Sequence, residues 1–132
     1  MFYGMISSEA LKNPLILNDF VPIKVVVDYK PSSGMPYWHR YLLKIEDREI
    51  DSITRLLAPL INAEWYAVFW NDKIVYVLFK DKVFTLKKEE NWQSGEYLNM
   101  KKYGISHGVE EEYLDFNERF KHYKELLEKY NN

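Results

Sequence analysis

The 132-residue chain contains no cysteine. This absence excludes disulfide bonds, cysteine-ligated zinc, iron–sulfur clusters and catalysis by a thiol. Glycine is also scarce, with five residues in the chain. Since no glycine lies in a G-x-G or G-K-[ST] element, the sequence does not predict a standard phosphate-binding loop, and we predict no cofactor.

Long hydrophobic runs are missing as well. The most apolar stretch, residues 14–27, is interrupted by Asn18, Asp19, Pro22 and Lys24, so no membrane span is predicted. The N-terminal residues lack the basic segment followed by an apolar segment that defines a signal peptide. We therefore expect a cytoplasmic protein, and the chain length predicts one domain over residues 1–132.

The chain has no excess of positive charge. Residues 1–66 hold 7 basic and 8 acidic side chains, and residues 67–132 hold 11 and 12, which gives the net charge of −2. Nucleic-acid binding requires many basic side chains opposite the phosphates. A nucleic-acid partner is therefore disfavoured.

Aromatic residues, in contrast, are abundant, at 17% of the chain, with 11 Tyr, 7 Phe and 4 Trp. The polar tips of Tyr and Trp must reach water or a hydrogen-bond partner. Some of these rings are therefore expected at the edge of the core, in a cleft or at an interface.

Alternating residues predict two strands, at 23–30 and 37–46, joined by a loop at 31–36. A stripe of Ile and Leu at helical spacing follows from Asp47, which is suited to the N-cap position. Residues 65–86 contain three strand-like runs with spacers of three residues, which predicts an antiparallel meander. Residues 7–12 are predicted as one helical turn capped by Ser7 or Ser8.

Two further helices are predicted near the C-terminus. The first covers residues 92–103, with Gly104 as the residue that ends it. The second carries an apolar stripe made of Phe116, Phe120, Tyr123, Leu127 and Tyr130. The order β-β-α-β-β-β-α-α predicts an α+β fold, in which helices pack on a five-stranded antiparallel sheet.

One predicted strand, residues 74–79, is apolar at every position. Such a strand is usually covered on both of its faces. Because one layer of helices covers one face, the other face must be covered by the remaining segments, a partner chain or a ligand.

The segment at residues 103–116 resembles small uncharacterised prokaryotic proteins that share a Tyr-Gly, Gly-Ile, Glu-Glu and Leu-Asp-Phe pattern. The matching residues are Tyr103, Gly104, Gly108, Val109, Glu111, Glu112, Leu114, Asp115 and Phe116. Val109 stands where that pattern has isoleucine. The resemblance covers about fourteen residues and implies no function.

The candidate ligand or interface residues lie on or next to the predicted strands. They are Tyr37, Trp38, His39, Arg40, Glu64, Trp65, Tyr66 and Trp70. His39 and Arg40 are a ligand-binding pair in one interpretation. Strand alternation favours another, in which His39 joins an aromatic ladder and Arg40 stacks on Trp38, because neighbouring residues point to opposite faces.

Two other histidines, His107 and His122, are candidates for chemistry. Ser106 and His107 are adjacent between Gly104 and Gly108, but the strand–turn–helix context of a nucleophilic serine is missing, so a turn between helices is favoured. His122 is predicted at the surface, and Glu118 alone makes a poor metal partner for it. We predict no catalytic residue and no metal ligand, and we lean against an enzyme.

Three functions remain open. The first is a non-catalytic interaction module that buries an aromatic sheet face in a homodimer or against another protein. The second is a small-molecule binder or minor enzyme with a pocket near residues 37–40 and 64–65. The third, single-stranded nucleic-acid binding, needs lysines around the aromatic face, and the candidates are Lys73, Lys80, Lys82, Lys87 and Lys88.

Overall fold

A single antiparallel sheet of six strands forms the centre of the fold. The computed structural model describes residues 1–32 and 34–131; Ser33, in the predicted loop, lies outside the described residues. The strands are β1 (Phe2–Ser7), β2 (Pro22–Tyr29), β3 (Tyr37–Ile45), β4 (Ala67–Trp70), β5 (Ile74–Phe79) and β6 (Lys82–Lys87). Their order is β2-β3-β1-β4-β5-β6. The predicted α+β class with one antiparallel sheet is confirmed, but the number of strands is six rather than five.

The strand that the sequence analysis does not predict is β1, which lies between β3 and β4. Its sequence, FYGMIS, has no clear alternation, and Gly4 is unfavourable in a strand. The structure explains this glycine, because a Cβ atom there would lie 2.3 Å from Cε1 of the buried Phe69. The turn predicted at residues 7–12 is present only as a short 3-10 turn, Ser8–Ala10.

Three α-helices connect or follow the strands: α1 (Ile50–Leu57), α2 (Gly95–Ser106) and α3 (Phe116–Asn131). Short 3-10 turns occupy Ser8–Ala10, Pro14–Asp19, Asp47–Glu49, Ala58–Leu60, Lys88–Glu90 and Glu111–Leu114. Asp47 lies in one of these turns, where it pairs with the N-terminal amine, so its prediction as the N-cap of a helix was wrong.

Gly104 was predicted to end this helix, but it lies inside α2. A Cβ atom at this position would lie 2.7 Å from Cδ1 of Leu114 and 3.2 Å from the ring of Phe79. Glycine therefore allows α2 to approach the sheet closely. This packing, together with buried Leu114 and Phe116, accounts for part of the residue pattern at 103–116.

Separate cores cover the two faces of the sheet. Residues of α2 and α3, including Met100, Phe116 and Tyr123, pack on one face. Residues of α1 and the N-terminal turns, including Leu57 and Leu17, pack on the other. Both faces of β5 are therefore covered within the chain, whereas part of the β2–β3 hairpin remains exposed. The side chain of Tyr130 lies outside the described residues.

Candidate functional site

A cleft of about 870 Å³ lies between the sheet and α3. We call it the Arg40 cleft and define it by the residues of its two walls. Asp28, Trp38 and Arg40 belong to the sheet wall, and Tyr113, Arg119 and His122 belong to the helix wall. Segments from four separate parts of the chain thus contribute side chains to one concavity.

Strand alternation and helical spacing position the two walls. Trp38 and Arg40 are two residues apart on β3, so their side chains point to the same face. Asp28 lies opposite Trp38 in the β2–β3 register and shares that face. Arg119 and His122 are three residues apart on α3, which places them on the same side of the helix.

An ion pair and a histidine connect the walls. Nε of Arg40 donates to Oδ2 of Asp28 at 2.5 Å, and Nη2 of Arg40 lies 3.1 Å from Nε2 of His122. Arginine is always protonated and can only donate. Nε2 of His122 must therefore accept, which describes a neutral imidazole with its proton on Nδ1.

The surroundings of His122 favour this neutral form. Burial lowers its pKa below the ordinary value of 6.5, and the charges of Arg40 and Arg119 lower it further. Asp28 and Glu125 oppose this shift. The imidazole consequently serves as a hydrogen-bonding group at neutral pH rather than as a cation.

Aromatic rings form a flat surface beside the charged groups. The ring of Trp38 lies 5.1 Å from that of Trp65 and 5.6 Å from that of Tyr113, measured between centroids. Nζ of Lys30 lies 5.5 Å from the centroid of Trp38, and the guanidinium of Arg119 lies 5.6 Å from that of Tyr113. Cations over ring faces are attracted by the ring quadrupole. The inner part of the cleft is therefore both aromatic and basic.

Two buried N–H groups of the cleft residues lack partners. Within residues 1–32 and 34–131, neither Nε1 of Trp38 nor Nε of Arg119 has a hydrogen-bond partner. A buried unpaired donor is costly and uncommon in folded proteins. Because both groups can only donate, the chemistry that would satisfy them is an oxygen or nitrogen acceptor.

The rim of the cleft is acidic, unlike its interior. Exposed Glu64, Glu110, Glu112 and Glu118 lie along it. Glu64 has a φ of 71°, and its side chain packs on Gly108, where a Cβ atom would lie 2.7 Å from Cγ of Glu64. A left-handed backbone is uncommon for a non-glycine residue and costs about 1–3 kcal/mol. The acidic rim would repel a polyanion approaching the cleft.

Two tyrosines lie deeper in the cleft. The hydroxyl of Tyr66 donates to the carbonyl of Tyr113. Burial raises the pKa of Tyr66 well above its ordinary value, and burial also raises the pKa of Tyr123, whose hydroxyl pairs with that of Tyr66. Both hydroxyls stay protonated at neutral pH, which suits hydrogen bonding and does not supply a base.

The cleft brings together five of the eight residues that the sequence singles out. They are Trp38, Arg40, Glu64, Trp65 and Tyr66. Arg40 pairs with Asp28 instead of forming the stacking contact expected with Trp38, because Asp28 faces the same side of the hairpin.

The other three residues lie elsewhere. The ring of Tyr37 is exposed and lies 5.1 Å from that of Tyr29. Trp70 lies in a second, smaller groove, where its ring stacks on Tyr123 at 5.0 Å. His39 points away from the cleft and contacts Glu9.

Glu9 gives His39 a structural role. The backbone N–H of His39 donates to Oε1 of Glu9 at 2.6 Å, at a point where β1 has ended, and Nδ1 lies 3.0 Å from Oε2. Partial burial opposes ionisation of Glu9, but the hydrogen bonds from His39 and Ser8 outweigh it and lower the pKa of the carboxyl. The carboxylate thus continues the edge of β3 where the neighbouring strand stops.

Sequence reasoning missed the helix wall. His122, predicted at the surface, is half-buried against Arg40, and Arg119 and Tyr113 were not singled out. The available signal was the i, i+3 pair of Arg119 and His122 beside an apolar stripe. That signal indicates a shared helix side but not which strand residues lie opposite it.

Ser106 and His107 lie at the exposed end of α2. The hydroxyl of Ser106 donates to the carbonyl of Tyr103 at 2.8 Å, and Nδ1 of His107 lies 3.0 Å from the same hydroxyl oxygen. The ring of His107 stacks on that of Tyr103 at 4.1 Å. With the hydroxyl proton directed at a carbonyl, this pair ends the helix and lacks the geometry of an activated nucleophile.

Comparison with known proteins adds no assignment. No family model, curated protein or solved structure matches the chain. In the part of the chain that the structure describes, no helix is long and apolar enough to cross a membrane. The same residues contain no group of three or more His, Asp or Glu side chains that could hold a metal ion.

Proposed function

We propose that this protein is a small-molecule binder whose ligand occupies the Arg40 cleft. The observation that carries the proposal is one concavity that combines the rings of Trp38, Trp65 and Tyr113 with the guanidinium of Arg119. The buried N–H groups without partners, on Trp38 and Arg119, belong to the walls of this concavity. Concave sites that combine aromatic rings with convergent polar groups are typical of ligand binding.

The chemistry of the cleft indicates the class of ligand. A planar ring fits beside Trp38 and Tyr113, and a carboxylate pairs with the guanidinium of Arg119. The acidic rim disfavours a polyanion such as a nucleic acid. A planar monocarboxylate meets all three conditions.

Binding is favoured over catalysis because the titratable groups are poorly suited to proton transfer. Tyr66 and Tyr123 have raised pKa values, and His122 uses Nε2 to accept from Arg40. A general base must have a lone pair directed at the substrate. The groups of this cleft instead orient and hold a ligand.

Indole N–H signals in a ¹H–¹⁵N spectrum test this proposal. The chain has 4 Trp residues, so each indole signal is assigned by one Trp→Phe variant. On titration with benzoate and with indole-3-acetate, the Trp38 signal should shift saturably, because the ring of the ligand lies beside the indole. The signals of Trp70 and Trp92, in the second groove, should stay in place.

Two charge-removing variants on α3 extend the test, one inside the cleft and one outside it as the matched control. Arg119→Gln should weaken benzoate binding about tenfold or more, which corresponds to about 1.4 kcal/mol. Lys129→Gln removes an exposed cation from the same helix and should leave binding unchanged. Equal weakening in the two variants, or no saturable shift of Trp38 with either carboxylate, would contradict the proposal.

An interaction module is the second candidate function. It is supported by exposed apolar side chains on the β2–β3 hairpin, including Val25, Val27, Tyr29 and Tyr37. Self-association measured by light scattering tests it. Single-stranded nucleic-acid binding has less support, because the candidate lysines lie at the opposite end of the sheet from Trp38. These lysines, on or next to β5 and β6, are Lys73, Lys80, Lys82, Lys87 and Lys88.

A further inference from the structure

The strand β2 lies at an open edge of the sheet and carries a row of exposed apolar side chains. Val25, Val27 and Tyr29 are 41%, 55% and 64% exposed, and they point to the face opposite the Arg40 cleft. An exposed edge strand offers unpaired backbone groups to another chain. The hairpin therefore has both the backbone and the side chains of a pairing surface.

The hydrogen bonds of the hairpin show which backbone groups point outward. The N–H of Lys30 donates to the carbonyl of Pro36, so these residues form a hydrogen-bonded pair. In an antiparallel ladder, inward and outward groups alternate along a strand. The peptide groups of Val25, Val27 and Tyr29 thus face the open edge, on the same residues whose side chains are exposed.

A twofold axis at Val26 gives a complementary register for two copies of β2. Val25 of one copy then lies opposite Val27 of the other, and both supply outward peptide groups. Lys24 lies opposite Asp28, so two pairs of opposite charges form across the axis. Shifting the axis to Val27 places Lys24 opposite Lys30, and shifting it to Val25 places Asp28 opposite Pro22.

The other open edge, β6, lacks this complementarity. Its six residues begin with Lys82 and end with Lys87. A self-pair with its axis at Phe84 places Lys82 opposite Leu86, and one with its axis at Thr85 places Lys82 opposite Lys88, so neither register brings opposite charges of this strand together. Lysine on an edge strand usually prevents pairing, but in β2 the facing aspartate of a second copy turns Lys24 into a favourable contact.

We propose that two copies of this chain pair through β2, antiparallel and centred on Val26, and form one continuous sheet. The two partners use the same strand, as expected for a twofold symmetric dimer. The inference deepens the second candidate function and rests on it. It also places Lys24 of the second copy beside Asp28, at the Arg40 cleft.

Single cysteines introduced into this cysteine-free chain test the register. In the proposed dimer the two copies of residue 26 form a non-hydrogen-bonded pair, with Cα atoms about 4.5 Å apart, which suits a disulfide. Val26→Cys should therefore cross-link under mild oxidation at least about tenfold faster than Val27→Cys. Thr85→Cys on β6 is the matched control and should cross-link no faster than free collision allows.

A backbone variant tests the same edge without a disulfide. Val27→Pro removes an outward N–H and leaves the β2–β3 bonds intact, since proline is tolerated on edge strands. It should raise the dissociation constant of the dimer at least about tenfold, with an unchanged circular dichroism spectrum.

The outcomes separate this inference from the function on which it rests. A dimer in light scattering with fastest cross-linking at residue 26 supports both. A dimer in which residue 27 or residue 85 cross-links as fast, or in which Val27→Pro has no effect, overturns the β2 pairing but leaves the interaction module standing. A monomer at about 100 µM overturns the β2 pairing and the homodimeric form of the interaction module.

Discussion

The ion pair between Asp28 and Arg40 should contribute measurably to the stability of the fold. Two hydrogen bonds join these side chains, at 2.5 Å and 3.3 Å, and the side chains are 25% and 14% exposed. Asp28→Asn removes the charge while keeping a similar shape. It leaves Arg40 beside His122 without its carboxylate partner.

The loss of unfolding free energy expected for Asp28→Asn lies between two known limits. Exposed ion pairs contribute about 0.2–1 kcal/mol, and removing one partner of a buried pair costs about 3–5 kcal/mol. Because this pair is mostly buried but still touches solvent, we expect Asp28→Asn to lower the free energy of unfolding by about 2 kcal/mol. The interaction energy between the two side chains should be about 1.5 kcal/mol.

A double-mutant cycle in urea measures this interaction energy. It requires Asp28→Asn, Arg40→Gln and the double variant, each at low salt and at about 1 M NaCl. A mostly buried pair should keep most of its interaction energy at high salt, because screening acts chiefly on exposed charges. An interaction energy below about 0.5 kcal/mol, or one that disappears at high salt, would refute the reasoning.

Two further predictions concern a glycine and a histidine. Gly4→Ala should lower the free energy of unfolding by about 1–3 kcal/mol, because the new Cβ atom overlaps the buried ring of Phe69. The control is Gly95→Ala, since the space around the Cβ position of Gly95 is open. Equal losses of stability in the two variants would contradict the packing argument. The lowered pKa of His122 means that the unfolded chain binds its proton first, so stability should fall as the pH drops below 6.5 towards the folded-state pKa. Urea midpoints across this range should show a shallower slope in His122→Gln, and an identical slope would argue against a neutral buried imidazole.

Strand alternation accounts for the part of the site that could be predicted from the sequence. It separates His39 from Arg40 and places Trp38 with Arg40, and the structure has this arrangement. The meander likewise follows from three apolar runs with short spacers, although Trp65 and Tyr66 precede β4 instead of belonging to it. Local periodicity is enough to predict which residues form a strand and which of its faces each side chain occupies.

Long-range packing decides the rest. The strand character of β1 depends on its neighbours β3 and β4, and its glycine is required by a ring from a residue 65 positions later, Phe69. The half-buried state of His122 depends on Arg40, which lies 82 residues before it. No local sequence pattern predicts the strand character of β1 or the burial of His122.

The central position of β1 has a consequence for biosynthesis. This strand is synthesised before the other five strands of the sheet, yet its two neighbours follow about forty and about sixty-five residues later. During synthesis both of its edges stay unpaired until β3 and then β4 appear, and unpaired strand edges promote aggregation. Formation of the sheet must therefore await most of the chain, which favours slow folding after synthesis over stepwise folding from the N-terminus.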